Sequence, residues 1–388
     1  MERPSDQDVS SLLMALVGID SINPSLVAGA AGESGIAEYV AGWLREAGLQ
    51  VELQEVLPGR PNVVARVAGT GHGRSLMLNA HLDTVGVAGM TDPFRPRVEG
   101  DRLYGRGAYD MKAGLAAIML AARSVQRAGG APGDLIVTAV MDEEYASAGT
   151  EAVLAAYQAD GAIVTEPTGL RLCTAHKGFA WLAVSTEGRA AHGSRPDLGV
   201  DAIAHMGWVL VQLEALGKRL AQGQAHPLLG TGSIHASLIE GGQELSSYPE
   251  RCRVQIERRT IPGETPESVL EEILAELHRQ SANDPSFRAE AELLFWREPF
   301  DVDPGAPIAQ AVQQAATAIT GDQPRIYGDT PWMDAALLSS AGIPTVVFGP
   351  GGAGAHAVDE WASISQTATC AEILAQAAMD YWAGKPVA

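Results

Sequence analysis

Histidine and carboxylate side chains recur at one kind of position in this chain, directly after a predicted strand or at the start of a predicted helix. They lie in five segments: His81 and Asp83 after strand 75–80, Asp110 before helix 111–127, Asp142-Glu143-Glu144 after strand 135–140, Glu166 after strand 162–165, and His356 in a glycine-rich loop after strand 345–348. Ligands of open α/β sheets bind at the carboxyl ends of the strands. We therefore expect these side chains to meet at one edge of a sheet.

Each of these positions has an ordinary alternative when it is taken alone. Asp110 could cap a helix, His356 could be a surface histidine, and the 142–144 run could be a charged loop. Together, the carboxylates of Asp110, Glu144 and Glu166 and two imidazoles would share one site with no lysine or arginine among them. Buried like charges are costly unless a cation holds them, and two divalent metal ions with one bridging carboxylate would do so.

The charge balance of such a site is neutral. Two divalent ions bring four positive charges, which three carboxylates and a bridging hydroxide would balance. Mixed imidazole and carboxylate ligands suit zinc and are also accepted by cobalt or manganese. The sequence therefore predicts two divalent metal ions per chain, with Zn2+ as the first choice.

Two short spacings suggest further roles. His81 and Asp83 are two residues apart, so in an extended strand their side chains point the same way and Asp83 could hold the His81 ring in one tautomer. Glu143 and Glu144 are adjacent, so one can bind metal while its neighbour takes a proton from a metal-activated water. Both pairs indicate a metal-dependent hydrolase.

The elements that would position these residues alternate between apolar strands and helices. Short runs that are apolar on both faces, such as 62–67, 75–80 and 135–140, are separated by helical segments such as 35–48 and 111–127. This pattern predicts an α/β fold with a mostly parallel sheet flanked by helices.

The middle of the chain has a different order of elements. Strand, helix, strand, strand, helix and strand are predicted at 178–186, 197–216, 233–239, 251–259, 266–280 and 287–295. This β-α-β-β-α-β order is that of a ferredoxin-like α+β domain. We therefore predict a catalytic, metal-binding domain made of 1–176 and 297–388, with a second domain inserted at 177–296.

Composition restricts the class of protein. The 388 residues include 27 Lys and Arg against 47 Asp and Glu, a net charge of −20, which repels phosphate backbones and disfavours nucleic acid as a partner. The three scattered cysteines suit a reducing compartment and not a disulfide scaffold. The first residues lack the pattern of a signal peptide, and the longest apolar run is too short to cross a bilayer, so we expect a cytoplasmic protein without membrane partners.

Several motifs, in order along the chain, resemble those of the M20 metallopeptidases. They are Leu78-Asn79-Ala80-His81-Leu82-Asp83-Thr84-Val85, Gly105-Arg106-Gly107-Ala108-Tyr109-Asp110-Met111-Lys112-Ala113-Gly114, Asp142-Glu143-Glu144, Thr165-Glu166-Pro167-Thr168, Ala191-His192, Arg259-Thr260-Ile261-Pro262-Gly263-Glu264, and Gly349-Pro350-Gly351 with His356. That family includes acetylornithine deacetylase, succinyl-diaminopimelate desuccinylase, aminoacylase and glutamate carboxypeptidase. The resemblance implies a fold of the dinuclear zinc hydrolase type, in which the inserted domain is a lid that also forms a homodimer.

The resemblance also implies how the metal ligands are divided. His81 and Glu166 would hold one ion, Glu144 and His356 would hold the other, and Asp110 would bridge the two.

Four further residues match positions with roles in the family. Glu143 would be the general base, and Asp83 would support His81. On the lid, His192 matches a histidine that reaches the partner subunit's active site and stabilises the oxyanion. Arg259 matches a lid arginine that binds a substrate carboxylate.

Three functions follow from these residues. The first is a dinuclear hydrolase that cleaves the amide bond of an N-acyl amino acid, as a deacetylase or desuccinylase does. The alternative is an exopeptidase, a carboxypeptidase or dipeptidase acting on short peptides, since both kinds of substrate offer a carboxylate to Arg259. A non-catalytic metal-binding homologue is the distant third. The substrate cannot be transferred from relatives, because Ser246 and Trp332 depart from the family pattern in regions that shape the pocket.

Overall fold

The computed structural model describes residues 3–71, 73–130 and 132–382, and the chain divides into two compact units. The first unit consists of the chain up to Thr174, Val302–Tyr327, and the chain from Met333 onward. The second unit consists of Ala175–Asp301 and Gly328–Trp332. The inserted domain predicted at 177–296 lies within the limits of the second unit.

The helices and strands follow one another along the whole described chain. The helices are α1 (Asp6–Val17), α2 (Ser34–Glu46), α3 (Ala113–Arg127), α4 (Ala148–Ala156), α5 (Ala202–Gln222), α6 (Pro266–Asn283), α7 (Pro307–Thr320), α8 (Ala335–Ser340) and α9 (Ile364–Trp382). The strands are β1 (Gln50–Leu57), β2 (Arg60–Val67), β3 (Leu76–His81), β4 (Arg97–Glu99), β5 (Arg102–Tyr104), β6 (Leu135–Val140), β7 (Gly161–Val164), β8 (Leu172–His176), β9 (Gly178–Glu187), β10 (Ser233–Gly241), β11 (Arg251–Thr260), β12 (Arg288–Arg297), β13 (Phe300–Asp301), β14 (Ile326–Asp329), β15 (Thr345–Val347), β16 (Gly352–Ala353) and β17 (Trp361–Ser363). Within the described residues, no helix is both long enough and apolar enough to cross a membrane.

The first unit is built on a sheet in which the strands lie in the order β1-β2-β6-β3-β7-β15-β8. The central pairs β6–β3, β3–β7 and β7–β15 are parallel, and the flanking pairs are antiparallel. Every residue of β3, β6 and β7 is buried. Because strand side chains alternate between faces, this burial means that both faces of the central sheet are covered, as predicted for a parallel α/β sheet flanked by helices.

Helix α3 is one of the helices that cover the central sheet. Its residues from 113 to 122 are all buried, and they include many alanines, which let the helix approach its neighbours closely. With α1, α2, α7 and α9, this helix contributes to one continuous hydrophobic core together with the central strands. The parallel strands therefore end on one edge of a rigid, packed layer.

The second unit has the predicted β-α-β-β-α-β order, with an antiparallel sheet of order β10-β11-β9-β12. Residues of β11 alternate between buried and more exposed, and the buried set packs against α5 and α6 in a separate core. The helix predicted from 197 begins at Ala202, because the Asp201 side chain accepts a hydrogen bond from the backbone N–H of Ala204 and caps the helix there. The lid and dimerisation roles of this unit remain predictions.

Candidate metal centre

Five side chains of the first unit meet at the edge where the central strands end. They are His81 at the end of β3, Asp110 before α3, Glu144 after β6, Glu166 after β7, and His356 after β16. These residues form two groups that could each hold a metal ion, His81 with Asp110 and Glu166, and Asp110 with Glu144 and His356. All five metal-binding residues predicted from the sequence are thus brought together.

Asp110 is the member that the two groups share. Its Oδ1 lies 3.2 Å from Nε2 of His81, and its Oδ2 lies 3.3 Å from Nε2 of His356. The same His81 nitrogen is 3.7 Å from Glu166 Oε1, and the His356 nitrogen is 3.0 Å from Glu144 Oε2. The two oxygens of this one carboxylate therefore face two different sets of potential metal ligands, which is the arrangement that a bridging ligand requires.

The donors in these groups fit divalent metal ions. Each group offers one imidazole nitrogen and two carboxylates, a combination that suits zinc. Glu144 Oε1 is buried and has no hydrogen-bond partner within the described part of the chain. A buried carboxylate oxygen without a donor is costly, and a bound cation would satisfy it.

The electrostatics of the cluster favour positive charge. Burial lowers the pKa of His81, but Asp110 and Glu166 outweigh that effect and hold it well above its usual value. Hydrogen bonds with Asp110 and Glu144 raise the pKa of His356 to about 10. Burial raises the pKa of Glu166 well above its usual value. The same negative field that holds protons here would hold metal cations in their place.

The turn after β6 is held by Asp83. Asp83 Oδ1 accepts a hydrogen bond from the backbone N–H of Glu143 at 3.2 Å, and Asp83 Oδ2 accepts one from that of Glu144 at 3.1 Å. Burial, followed by the charge of Glu166, raises the pKa of Glu143 well above its usual value. One carboxylate thus positions the backbone of both the predicted base and a predicted ligand.

This use of Asp83 differs from the contact predicted from its spacing. The nearest partner of His81 Nδ1 is the backbone carbonyl of Asp83 at 2.9 Å, whereas the carboxylate is 3.5 Å away. The carboxylate lies farther from the ring because the backbone N–H groups of Glu143 and Glu144, in the turn after β6, hold it. The backbone carbonyl therefore orients the imidazole.

Asp110 also differs from its predicted setting at a helix start. The helix begins at Ala113, and Asp110 lies in the preceding turn Ala108–Lys112 with φ −114° and ψ 97°, joined to Met111 by a cis peptide bond. Glu360 holds this turn. Its carboxylate accepts hydrogen bonds from Arg106 Nη1 at 2.7 Å and from the backbone N–H groups of Gly107, Tyr109 and Asp110 at 2.9, 2.9 and 3.1 Å.

A buried polar network behind the cluster was missed by sequence reasoning. Arg60 makes a paired contact with Glu33, through Nε at 2.7 Å and Nη2 at 2.5 Å, and Nη2 also reaches Asp142 Oδ1 at 3.0 Å. Asn23 Nδ2 donates to Asp83 Oδ2 at 2.8 Å and to Asp142 Oδ1 at 3.1 Å. The available signal was a single arginine at the start of the apolar run that forms β2.

The two predicted lid residues lie in the second unit. His192 is exposed, and its Nδ1 lies 2.8 Å from Ser194 Oγ. Arg259 lies near the end of β11, half-buried, and its Nε donates to Glu257 Oε1 at 2.7 Å. Their catalytic and substrate-binding roles remain predictions.

Known proteins are similar to this chain over most of its length. The model of Peptidase family M20/M25/M40 matches residues 77–380. The N-formyl-4-amino-5-aminomethyl-2-methylpyrimidine deformylase of Bacillus subtilis (strain 168) is 31% identical over 373 residues, which cover 88% of this chain and 87% of that protein. The acetylornithine deacetylase of Myxococcus xanthus is 31% identical over 369 residues, which cover 90% of this chain and 93% of that protein.

A solved structure shows the same fold. The tripeptidase of Staphylococcus aureus subsp. aureus Mu50 superposes with a TM-score of 0.79 at 20% identity, covering 97% of this chain and 99% of that one. The predicted fold class, a mostly parallel α/β sheet flanked by helices, is thereby confirmed. The family match confirms the resemblance seen in the motifs: the chain belongs to peptidase family M20/M25/M40 and is a hydrolase of amide bonds.

Proposed function

We propose that this chain is a dinuclear metal-dependent hydrolase that removes the acyl group from an N-acyl amino acid, with Glu143 as general base. The observation that carries the proposal is the position of Asp110, whose Oδ1 lies 3.2 Å from His81 Nε2 and whose Oδ2 lies 3.3 Å from His356 Nε2. A carboxylate shared between two sets of metal ligands is characteristic of two-metal hydrolases. The deformylase and deacetylase named above support an N-acyl substrate.

The residues would divide between two divalent ions, with zinc as the preferred metal. His81, Asp110 and Glu166 would hold one ion, and Asp110, Glu144 and His356 would hold the other. When bound, such ions lower the pKa of a coordinated water and polarise the carbonyl of the amide.

Glu143 would carry the proton through the reaction. Its carboxylate would accept a proton from the attacking water as the water oxygen bonds to the carbonyl carbon. It would then give that proton to the nitrogen as the carbon–nitrogen bond breaks, so that a carboxylic acid and an amine leave. The hydrogen bond from the backbone of Glu143 to Asp83 supports this role, because it fixes the turn that carries the base.

The second unit would bind the substrate carboxylate and form the dimer. Arg259 would hold the carboxylate, and His192 would stabilise the oxyanion at the partner subunit's active site. The dimer is supported by β10, an edge strand of the four-stranded sheet, on which Leu238 and Ile239 are 64% and 56% exposed. An exposed, apolar edge strand is a template for pairing with a second copy.

The test is amine release from a panel of N-formyl-, N-acetyl- and N-succinyl-amino acids and of dipeptides, with added zinc or cobalt. Glu143→Gln should abolish release while metal content is unchanged. Glu38→Gln, at an exposed glutamate on α2, is the matched control. Release from dipeptides alone would replace the proposal with an exopeptidase. Turnover retained by the Glu143 variant would remove that residue from the mechanism.

A further inference from the structure

Aromatic rings cluster on the open face of the four-stranded sheet in the second unit. On β9, Ala180 and Leu182 are fully buried in the core under α5 and α6, so Phe179 and Trp181, which alternate with them along the strand, lie on the opposite face. Phe295 on β12 is the cross-strand neighbour of Trp181. These three rings, together with Trp332, form what we call the aromatic patch.

The rings of the patch are in mutual contact and held in place. Ring centroids are 5.4 Å apart for Phe179 and Trp181, 5.3 Å for Trp181 and Phe295, and 5.8 Å for Phe179 and Phe295. Trp332 meets Phe179 edge-on at 6.2 Å, and its Nε1 donates to the Glu298 carbonyl at 3.1 Å. Trp181 nevertheless remains 40% exposed. A ring from a ligand would remove this apolar surface from water.

Positive charge borders the aromatic patch. The register places Arg259 and Arg297 on either side of Phe179, one on each neighbouring strand. The guanidinium of Arg259 lies 5.3 Å from the Phe179 centroid, and that of Arg297 lies 4.7 Å from the Phe295 centroid. The Glu257 carboxylate, opposite Trp181, offsets part of this charge, because it accepts hydrogen bonds from Arg259 Nε at 2.7 Å and from Trp181 Nε1 at 3.3 Å. A ligand that joins a flat ring to a carboxylate would complement both features.

We infer that the aromatic patch binds the amino-acid side chain of the substrate, and that the preferred substrates are N-acyl amino acids with aromatic side chains. This inference rests on the proposed function, because it takes Arg259 as the group that holds the carboxylate. In an amino acid, the carboxylate and the side chain leave the same carbon atom. The ring that Arg259 covers, Phe179, is therefore among the nearest surfaces to that side chain, and flat groups stack best on such rings.

The experiment compares kcat/KM for N-acetyl-phenylalanine and N-acetyl-leucine. The zinc-loaded native protein should prefer the aromatic substrate by at least about tenfold, the range that side-chain pockets achieve. Trp181→Leu should bring this ratio close to one, whereas Trp181→Phe should largely keep it. Val211→Ala is the control, since Val211 is 59% exposed on α5 and lies away from the patch. It should leave both rates and their ratio unchanged.

The outcomes separate the inference from the proposed function. Equal rates for the two substrates, or a Trp181→Leu effect that lowers both rates equally, would overturn the inference while the deacylase function stands. If no N-acyl amino acid is hydrolysed, the proposed function fails. Calorimetry of both compounds with the Glu143→Gln protein then decides the inference alone. Tighter binding of N-acetyl-phenylalanine supports it, and equal or absent binding overturns it.

Discussion

The carboxylate of Asp83 holds the backbone of Glu144. Asp83 follows β3, Glu144 follows β6, and the hydrogen bond from the Glu144 N–H to Asp83 Oδ2 is 3.1 Å long. The adjacent N–H, of Glu143, donates to the other oxygen of the same carboxylate. Two strand ends are thus joined by one side chain, which positions the backbone of a candidate ligand and of a candidate base.

Asp83→Asn should weaken metal binding and lower turnover. An amide has one acceptor oxygen and one NH2 group, so at least one of the N–H donors from Glu143, Glu144 and Asn23 would face another donor. Loss of a contact that supports a metal ligand typically costs about tenfold to a hundredfold in affinity or activity. Competition with a chromophoric chelator measures the affinity, and steady-state rates measure the turnover.

The matched control for this prediction is Asp322→Asn, at an exposed aspartate after α7. It should change neither metal affinity nor rate. An Asp83→Asn protein with native affinity and native turnover would show that the two backbone contacts do not position the site.

The metal site could be predicted from the sequence because its residues are polar side chains at the ends of apolar strands. Strands β3, β6 and β7 are buried on both faces and mostly apolar, so charged and imidazole side chains such as Glu166 and His81 stand out where the strands end. The parallel order of these strands then requires that the polar ends meet. For this reason the ligand set could be predicted before the register of the sheet was known.

The network behind the site depends on contacts that sequence patterns do not show. The Arg60–Glu33 pair joins residues 27 positions apart, and the contact of Arg60 with Asp142 spans 82 positions. Helix and strand patterns relate residues that are two to four positions apart. Both separations are far longer, so only the tertiary packing identifies these partners. The turn at Asp110 was missed as a turn because the apolar run of α3 extends the helical pattern through Met111.

Arg60→Met should strongly destabilise the fold. Arg60 is 8% exposed and Glu33 is fully buried, so removing the guanidinium leaves the carboxylates of Glu33 and Asp142 without their cation. Breaking a buried pair by removing one partner costs about 3–5 kcal/mol. Urea unfolding monitored by tryptophan fluorescence measures the free energy of unfolding.

Two further variants complete this test. Arg60→Lys keeps the charge but loses the paired geometry with Glu33, so its loss should be smaller. Lys218→Met removes an exposed partner of Glu214 and should change stability little. If Arg60→Met were as stable as Lys218→Met, the network would have no structural role.

Glu360→Gln should loosen the turn that carries Asp110. The native carboxylate accepts hydrogen bonds from Arg106 and from three backbone N–H groups, and a glutamine would turn an NH2 group toward some of these donors. We expect metal affinity to fall by about tenfold. Chelator competition measures this fall, and Glu372→Gln, on α9, serves as the control. Native affinity in the Glu360 variant would contradict the positioning role.

Removal of metal should lower both activity and thermal stability, and added zinc should restore both. Without cations, the carboxylates of Asp110, Glu144 and Glu166 face one another, and Glu144 Oε1 is buried without a donor. A metal present at 100 times its dissociation constant stabilises the fold by about 2.7 kcal/mol. Dialysis against a chelator, followed by titration with zinc during differential scanning calorimetry, measures the effect.

Asp110→Asn offers a neutral group to both sites at once, so it should lose the response to zinc and bind fewer ions by elemental analysis. A midpoint temperature that is independent of zinc in the native protein would contradict a metal site at this edge of the sheet.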